Sequence, residues 1–496
     1  MSHQSGQSET AITLIKQALN ISPNQLNYLH NLANILKESG QFEEVVQVYR
    51  QVIQLQPGSA ETYNNLGVSL HKLNQFQSAA QAYYDAIELN SEYDQAYSNL
   101  AATLIKLKQL DKAIDACLKA IEISADNFTV YCNLGNIYKE QGKFEEAIKS
   151  YQQALSIQPN IAEVHSNLGD VFKESNRLDE AIQAYQRAID IHPNIAQVYS
   201  NMGSILYEKL VELGSGSDFH TLGVASLMEP SYLRESIQHY QQAIKIDPDC
   251  SAEIYNNLGV VLGRERELDQ SAQAYQTALR INPEHAEAHY NLGTLLLLQG
   301  NFGNGWAHYE WRWKCSKFPS RKPNFLQPTW NGSNLNGKSI LVWTEQGVGD
   351  QTMFASMFHS LLQMDVRIIV ECPKRLISLF NRSFPISCIP KNNSASQRLL
   401  DPAIDYQSSI GSLAQWLLPD EESFPKGPSY LKACADKTGE LRDEYQRLAM
   451  GKLLIGISWK SVNKDIGKPK STSLIEWKDL LSQKDCFFIN LQYGDV

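Results

Sequence analysis

The chain has 496 residues, 43% of them apolar and 20% charged, with a formal net charge of −10. This is an ordinary folded composition with room for several domains and large cores. The acidic balance, with no basic run interleaved with aromatics, excludes a binder of phosphate backbones, so no nucleic acid partner is expected.

The opening MSHQSGQSET has no apolar leader. Apolar runs such as Leu295 to Leu298 fall far short of the ~20 residues a spanning helix needs, so no transmembrane segment is expected. The eight cysteines (117, 132, 250, 315, 372, 388, 434 and 486) are scattered. There is no CxxC and no histidine pair at zinc-ligand spacing, so neither a metal site nor a cofactor is expected. The expectation is a cytoplasmic protein with reduced thiols.

Residues 8–315 carry a period. Asn31, Asn65, Asn99, Asn133, Asn167 and Asn201 are each 34 apart; Asn257 follows after 56 and Asn291 after another 34. Each is followed by Leu or Met and then Gly or Ala. In one unit, Tyr131, Leu134, Gly135 and Tyr138 mark a first helix, Ala147, Tyr151 and Ala154 a second, and Pro159 the break. The next units repeat it with His165, Leu168, Gly169, Phe172, Ala181, Tyr185, Ala188 and Pro193, and with Tyr255, Leu258, Gly259, Leu262, Tyr275, Ala278 and Pro283. Ala11, Ala18 and Pro23 fit a lone second helix at the start, giving a half repeat and then eight repeats. An insertion at about 208–230, containing ELGSGSDFHTLG, reads as a surface loop or as a gate over the groove. These residues are the consensus of the tetratricopeptide (TPR) repeat, and the resemblance implies an α-solenoid that binds proteins.

Asparagine is a mediocre helix former, so its column needs a reason other than helix stability. A carboxamide both donates and accepts, and a row of them suits the backbone of an extended chain. The column resembles the asparagine ladder of the protein O-GlcNAc transferase superhelix, which implies a protein or peptide held in the groove. The alternative is a bond to a neighbouring helix, common in TPR repeats.

The last repeat's second helix, NFGNGWAHYEWRWKC (301–315), places Arg312 where a small residue is expected and crowds Trp306, Tyr309, Trp311 and Trp313 together. It reads as a docking surface for the next domain, or as a sugar-stacking platform. Residues 316–338, rich in Pro, Asn and Gly, read as a linker.

Residues 339–451 change period. SILVWT, the turn EQGVGD, the helix QTMFASMFHSLLQ and the strand VRIIVE make a βαβ start, followed by PKRLISLFNR, SCIP, SLAQWLL and GELRDEYQRLAM as helix, strand, helix and helix. A second set begins at 452 with KLLIGISWK, TSLIEWKDLLSQ and CFFINLQ. The order WxxYEWRW, PTWNG, EQGVGDQ, VEC, RSFP, GISWK and LQYGD resembles bacterial TPR proteins with a C-terminal two-Rossmann glycosyltransferase of GT-B type, and more distantly the heptosyltransferases. The expected fold is thus a TPR solenoid followed by a Rossmann-like α/β domain, with a second Rossmann-like domain that is truncated.

The resemblance implies Asp350 as catalytic base on an acceptor hydroxyl, Glu345, Gln346, Gly347 and Gly349 as the acceptor-side loop, Lys470 or Lys460 as the phosphate-holding cation, and a nucleotide sugar as donor substrate. The residues themselves also allow Asp350 as a helix cap and both lysines as solvated side chains. Gly347-x-Gly349 is a weak dinucleotide signal, because the third position is Thr352. Residues 452–496 supply two strands and one helix, short of the ~100 residues such a domain needs. The expectation is a fragment, a domain completed by another polypeptide, or a scaffold that has lost catalysis.

Overall fold

The computed structural model describes residues 2–212, 230–391, 404–426, 429–457 and 477–490. Most of the expected insertion, Lys460 and Lys470 lie outside them. The chain divides into two compact units, 1–205 and 206–496.

In the first unit, α1 (Ser2–Ile21) is a lone helix that begins before the expected residue 8. Five helix pairs follow: α2 (Leu26–Glu38) with α3 (Phe42–Leu55), α4 (Ala60–Lys72) with α5 (Phe76–Leu89), α6 (Asp94–Lys106) with α7 (Leu110–Ile123), α8 (Phe128–Glu140) with α9 (Phe144–Ile157), and α10 (Ala162–Glu174) with α11 (Leu178–Ile191). The next first helix, α12 (Ala196–Glu212), starts in this unit. Small residues set the spacing within a pair. A Cβ on Gly67, Gly135 or Gly169 would lie 2.5–2.6 Å from the ring of Tyr83, Tyr151 or Tyr185 in the partner helix. Those tyrosines are buried, with the hydroxyls of Tyr151 and Tyr185 donating to Asn136 and Asp170.

The turn within each pair has its own 34-residue column, hidden because its residue types differ. Gly40, Asn74, Lys108, Gly142 and Asn176 all take φ between 58° and 76°, the left-handed conformation that ends a helix and reverses the chain. The turn between pairs is tied from the following helix, where His165 Nε2 bonds the carbonyl of Pro159 at 2.9 Å. Successive first helices touch one another (α4 with α6, α6 with α8, α8 with α10) more closely than the second helices do, so the first helices line the inner side of the curve.

The second unit opens with α13 (Pro230–Ile246), then α14 (Ala252–Arg264) with α15 (Leu268–Ile281), and α16 (Ala286–Leu298) with α17 (Phe302–Tyr309). At Gly293 the last pair closes backbone to backbone, a Cβ there falling 2.6 Å from the Tyr309 nitrogen. The expected helix through 315 stops at Tyr309 and tightens into a 3₁₀ turn, Glu310–Lys314, that carries Arg312 inward.

Four parallel strands follow: β1 (Lys338–Trp343), β2 (Val366–Cys372), β3 (Ser387–Pro390) and β4 (Tyr406–Ser409), in the order β3-β2-β1-β4. The helix expected after β1 is broken into α18 (Val348–Phe354), a 3₁₀ turn and α19 (Phe358–Leu362). Phe354, Ala355, Met357, Phe358 and Leu361 are buried along it, on one face as a helical spacing predicts, and Met353 faces out. After β2, α20 (Lys374–Ser383) leads to β3; SLAQWLL forms a 3₁₀ turn and α21 (Ala414–Leu417).

Strand β4 has no apolar run to announce it. Gln407, Ser408 and Ser409 are buried polar side chains, and Gln407 bonds Trp343 Nε1 and Thr329 Oγ1 at 2.8 and 2.7 Å. Thr329 in turn pairs with Gln407 as a bridge, and Trp330 and Leu335 are buried, so residues of the expected linker pack as part of the sheet domain. Helix α17 does too: Trp306 Nε1 donates to the carbonyl of Leu418 at 2.9 Å, Phe302 packs on Phe424, and Trp313 on Trp343. The aromatic end of the repeats is thus covered by the domain that follows it. Beyond it lie α22 (Ala435–Ala449), β5 (Leu453–Ile457), α23 (Lys478–Leu481) and β6 (Cys486–Asn490), with β5 and β6 paired in parallel.

Candidate functional site

Two places bring together the residues that the sequence singles out. The first is the inner face of the repeats. Four of the asparagines donate to the preceding repeat's first helix: Asn99 to Asn64 Oδ1 (2.9 Å), Asn133 to the carbonyl of Ser98 (3.3 Å), Asn201 to Asp170 Oδ1 (2.9 Å) and, in the second unit, Asn291 to Asn256 Oδ1 (3.0 Å). Asn257 Oδ1 accepts from Asn256 at 3.3 Å. The carboxamides of Asn31, Asn65 and Asn167 make no hydrogen bond among the described residues. The column therefore staples neighbouring repeats at some positions and leaves polar groups open at others.

Asp170 reinforces the staple. Its carboxylate takes Lys139 Nζ at 2.9 Å, the Tyr185 hydroxyl at 2.7 Å and Asn201, joining three consecutive repeats. His71 Nδ1 meets Thr103 Oγ1 at 2.8 Å, and the Thr103 hydroxyl donates to the carbonyl of Asn99. The hydroxyl has one proton, so Nδ1 of His71 carries the hydrogen between them. Burial, with Lys72 and Lys106 nearby, pulls the His71 pKa below its usual value, so that ring is neutral at pH 7.

The second place is the carboxyl edge of the four-stranded sheet. Gly347 caps α18, and Asp350, in its first turn, accepts the Gly347 N–H at 3.0 Å. This is a capping role one turn inside the helix, not ahead of it. Asp350 is half-buried and Gly349 is exposed. Gln346 holds a left-handed φ of 57° and is fixed on three sides: its N–H by Ser320 Oγ, its carboxamide by the Tyr309 hydroxyl, and its carbonyl by Gln351 Nε2. A non-glycine residue in this conformation persists only where its surroundings impose it.

Glu345, expected on the acceptor-side loop, is turned into the protein interior. It has no exposed surface, and neither does Arg312, which it grips in a two-pronged pair: Nε to Oε2 at 3.1 Å and Nη2 to Oε1 at 2.8 Å. Burial alone would lower the Arg312 pKa, but the Glu345 carboxylate, helped by Glu310, more than reverses this, and the net direction is up. Ser409 and Ser412 complete the cluster, and sequence reasoning missed both. The available signal was Arg312 itself, a long cation at a small-residue position of the repeat.

Lys391 Nζ reaches the carbonyl of Thr344 at 2.9 Å from the end of β3, placing one lysine on this edge. All eight cysteines are free thiols, and among the described residues no group of three or more His, Cys, Asp or Glu side chains has metal-binding geometry. Among the described residues, no helix is long and apolar enough to cross a membrane.

Residues 1–190 match the family model described as the cilia and flagella-associated protein 70 C-terminal domain, and residues 233–265 and 267–300 match the TPR repeat model. Protein FlbA of Caulobacter vibrioides is 27% identical over 278 residues, covering 52% of this chain. The match spans 46% of FlbA's own length. Among solved structures, the chain is similar to the Cut9–Hcn1 hetero-tetramer of APC/C (17% identity, TM-score 0.42, covering 57% of this chain and 52% of that one). It is also similar to YrrB, described as a TPR protein with an unusual peptide-binding site (23% identity, TM-score 0.34, covering 42% and 96%). The paired helices, their 34-residue step and the two matching family models together identify a TPR-repeat protein, with the repeat solenoid in residues 2–300 and a small parallel sheet after it.

Proposed function

We propose that this chain is a protein-interaction scaffold whose repeats hold an extended polypeptide along their inner face, and that its α/β part is an inert glycosyltransferase-like remnant that covers the aromatic face of the last repeat. The observation that carries the reading is the pair of open carboxamides at Asn65 and Asn167, half-buried on first helices that line the inner curve. Each can bond a peptide group of a bound chain without reading its sequence.

The test is a fluorescein-labelled peptide selected from a random library on the full chain. Replacing Asn65 and Asn167 together by alanine removes two bonds of about 0.5–1.5 kcal/mol each. Binding is expected to weaken about tenfold in an anisotropy titration, while the thermal transition of the solenoid stays in place. Replacing Asn133, already bonded to Ser98, should instead move the transition. Unchanged affinity in the double variant removes the peptide-clamp reading.

The second reading is an active transferase that moves a sugar from a nucleotide sugar to a protein or glycan acceptor, with Asp350 as base and Gly347 and Gly349 beside the acceptor. It is favoured by the parallel order β3-β2-β1-β4 and by a half-buried carboxylate in the first turn of the helix that follows β1, at the edge where such sheets take ligands. Buried Glu345 is not available to an acceptor. Calorimetry with UDP-glucose and related nucleotide sugars is expected to show no binding in the micromolar range. Micromolar binding that survives Asp350→Asn would restore the transferase reading, because the base acts on the acceptor and not on the donor.

A further inference from the structure

We propose that the carboxyl-edge crevice between β1 and β4 is a guanidinium-binding site, and that Arg312 of the last repeat fills it as an intramolecular ligand. The order β3-β2-β1-β4 reverses direction between β1 and β4. At such a reversal the loops leaving the two strands diverge and open the crevice in which parallel sheets take their ligands. Here the loop after β1 supplies Glu345, and the end of β4 with its following turn supplies Ser409, Gly411 and Ser412.

Every edge of the guanidinium is matched. Besides the paired bonds to Glu345, Nη1 donates to the Tyr309 carbonyl at 3.2 Å and to Glu310 Oε1 at 2.6 Å. Nη2 also meets Ser409 Oγ at 3.1 Å and Ser412 Oγ at 2.9 Å. The planar faces are covered as well: the rings of Tyr309 and Trp313 each have their centroids 4.4 Å from the guanidinium carbon. The lining is itself held in place, with Ser409 bonded to Ser412 at 2.7 Å, Ser412 to Glu310 Oε2 at 2.9 Å, and the Gly411 N–H to Glu345 Oε1 at 3.1 Å.

Two features show which ligand chemistry this shape accepts. A Cβ on Gly411 would fall 2.5 Å from Glu345 Oε1, so glycine is what lets the carboxylate sit against the turn. Two carboxylates, Glu345 and Glu310, face one cation, so the crevice without Arg312 is anionic and repels phosphate. An ammonium has the charge but lacks the planar fork. The fitting ligand is a guanidinium on an aliphatic stem. This goes beyond the scaffold reading: the site where a sheet of this order would take a diffusible ligand is closed by the repeat array itself.

The experiment is chemical rescue of Arg312→Ala in the full chain. Tryptophan fluorescence during heating reads the transition, with n-propylguanidine added at low, non-denaturing concentration and n-propylammonium at equal ionic strength as control. At ten times its Kd the guanidine is expected to raise the variant's Tm by about 2–4 °C. The ammonium is expected to leave it unmoved, and neither compound should raise the Tm of the unsubstituted chain, whose crevice is full. Should Arg312→Ala not accumulate folded, refolding from urea replaces the melt, and recovery of native fluorescence only with the guanidine supports the site. Equal effects of guanidine and ammonium, a rise in the unsubstituted chain, or no rescue in either format overturns it.

Discussion

Replacing Glu345 by glutamine is expected to lower the unfolding free energy of the 206–496 unit by about 3–5 kcal/mol. The glutamine keeps the size of the side chain and removes its charge, which strands the Arg312 guanidinium at zero exposure with Glu310 as its remaining carboxylate. A buried ion pair adds little over a well-packed apolar pair, but removing one partner leaves the other's desolvation uncompensated. Fluorescence reports on this unit alone, because all eight tryptophans lie between residues 306 and 477. Urea unfolding followed by tryptophan fluorescence should show a lower midpoint. Glu284→Gln, which breaks the exposed pair with Lys314, is the comparison and is expected to cost at most about 1 kcal/mol. Equal midpoints for the two variants would mean that Arg312 and Glu345 do not share a buried charge network.

The legible part of this chain is the part whose physics is periodic. Burying a leucine, a glycine and a tyrosine at fixed steps of 34 residues requires the same hairpin each time, so the sequence of Leu134, Gly135 and Tyr151 announces their packing directly. The turn column at 40, 74, 108, 142 and 176 is equally periodic but is not visible as a column of residues. What is shared there is a backbone conformation, and glycine, asparagine and lysine all supply it. In the sheet domain, β1 and β2 carry the apolar runs 340–343 and 368–370 and are readable, whereas β4 is built on Gln407, Ser408 and Ser409 and is not. Its polar side chains are buried because Arg312, Trp343 and Thr329 arrive to bond them, from residues as many as 97 positions away. No local pattern encodes such an arrival. The resemblance that places Glu345 on an acceptor-side loop follows the motif EQGVGD, whereas in space its carboxylate meets the Arg312 guanidinium and the Gly411 N–H.

The glycines of the repeats offer a second large effect, and a contrast that separates packing from backbone conformation. Gly135→Val is expected to destabilise the solenoid by about 2–3 kcal/mol, at the upper end of what overpacking a core costs. The new Cβ would lie 2.5 Å from Tyr151 Cε1 and 2.7 Å from two further ring atoms, and the ring is fully buried. The first repeat shows how much relief is available. There Ala33 stands opposite Tyr49, so the tyrosine can retreat by about one methyl group, and in the third repeat Ala101 faces the smaller Cys117. Valine adds two further methyls, for which neither arrangement leaves room. Gly142, seven residues on, has nothing within 4 Å of the point where a Cβ would stand, but sits at φ 70°. Gly142→Ala therefore costs about 1 kcal/mol through the left-handed backbone alone, consistent with Lys108 and Asn74 occupying the equivalent turns. Because each repeat leans on its neighbours, the valine should lower the whole far-UV circular dichroism transition of the repeats. If Gly142→Ala proved the more damaging of the two, the close approach of α8 and α9 would not be what the 135 column provides.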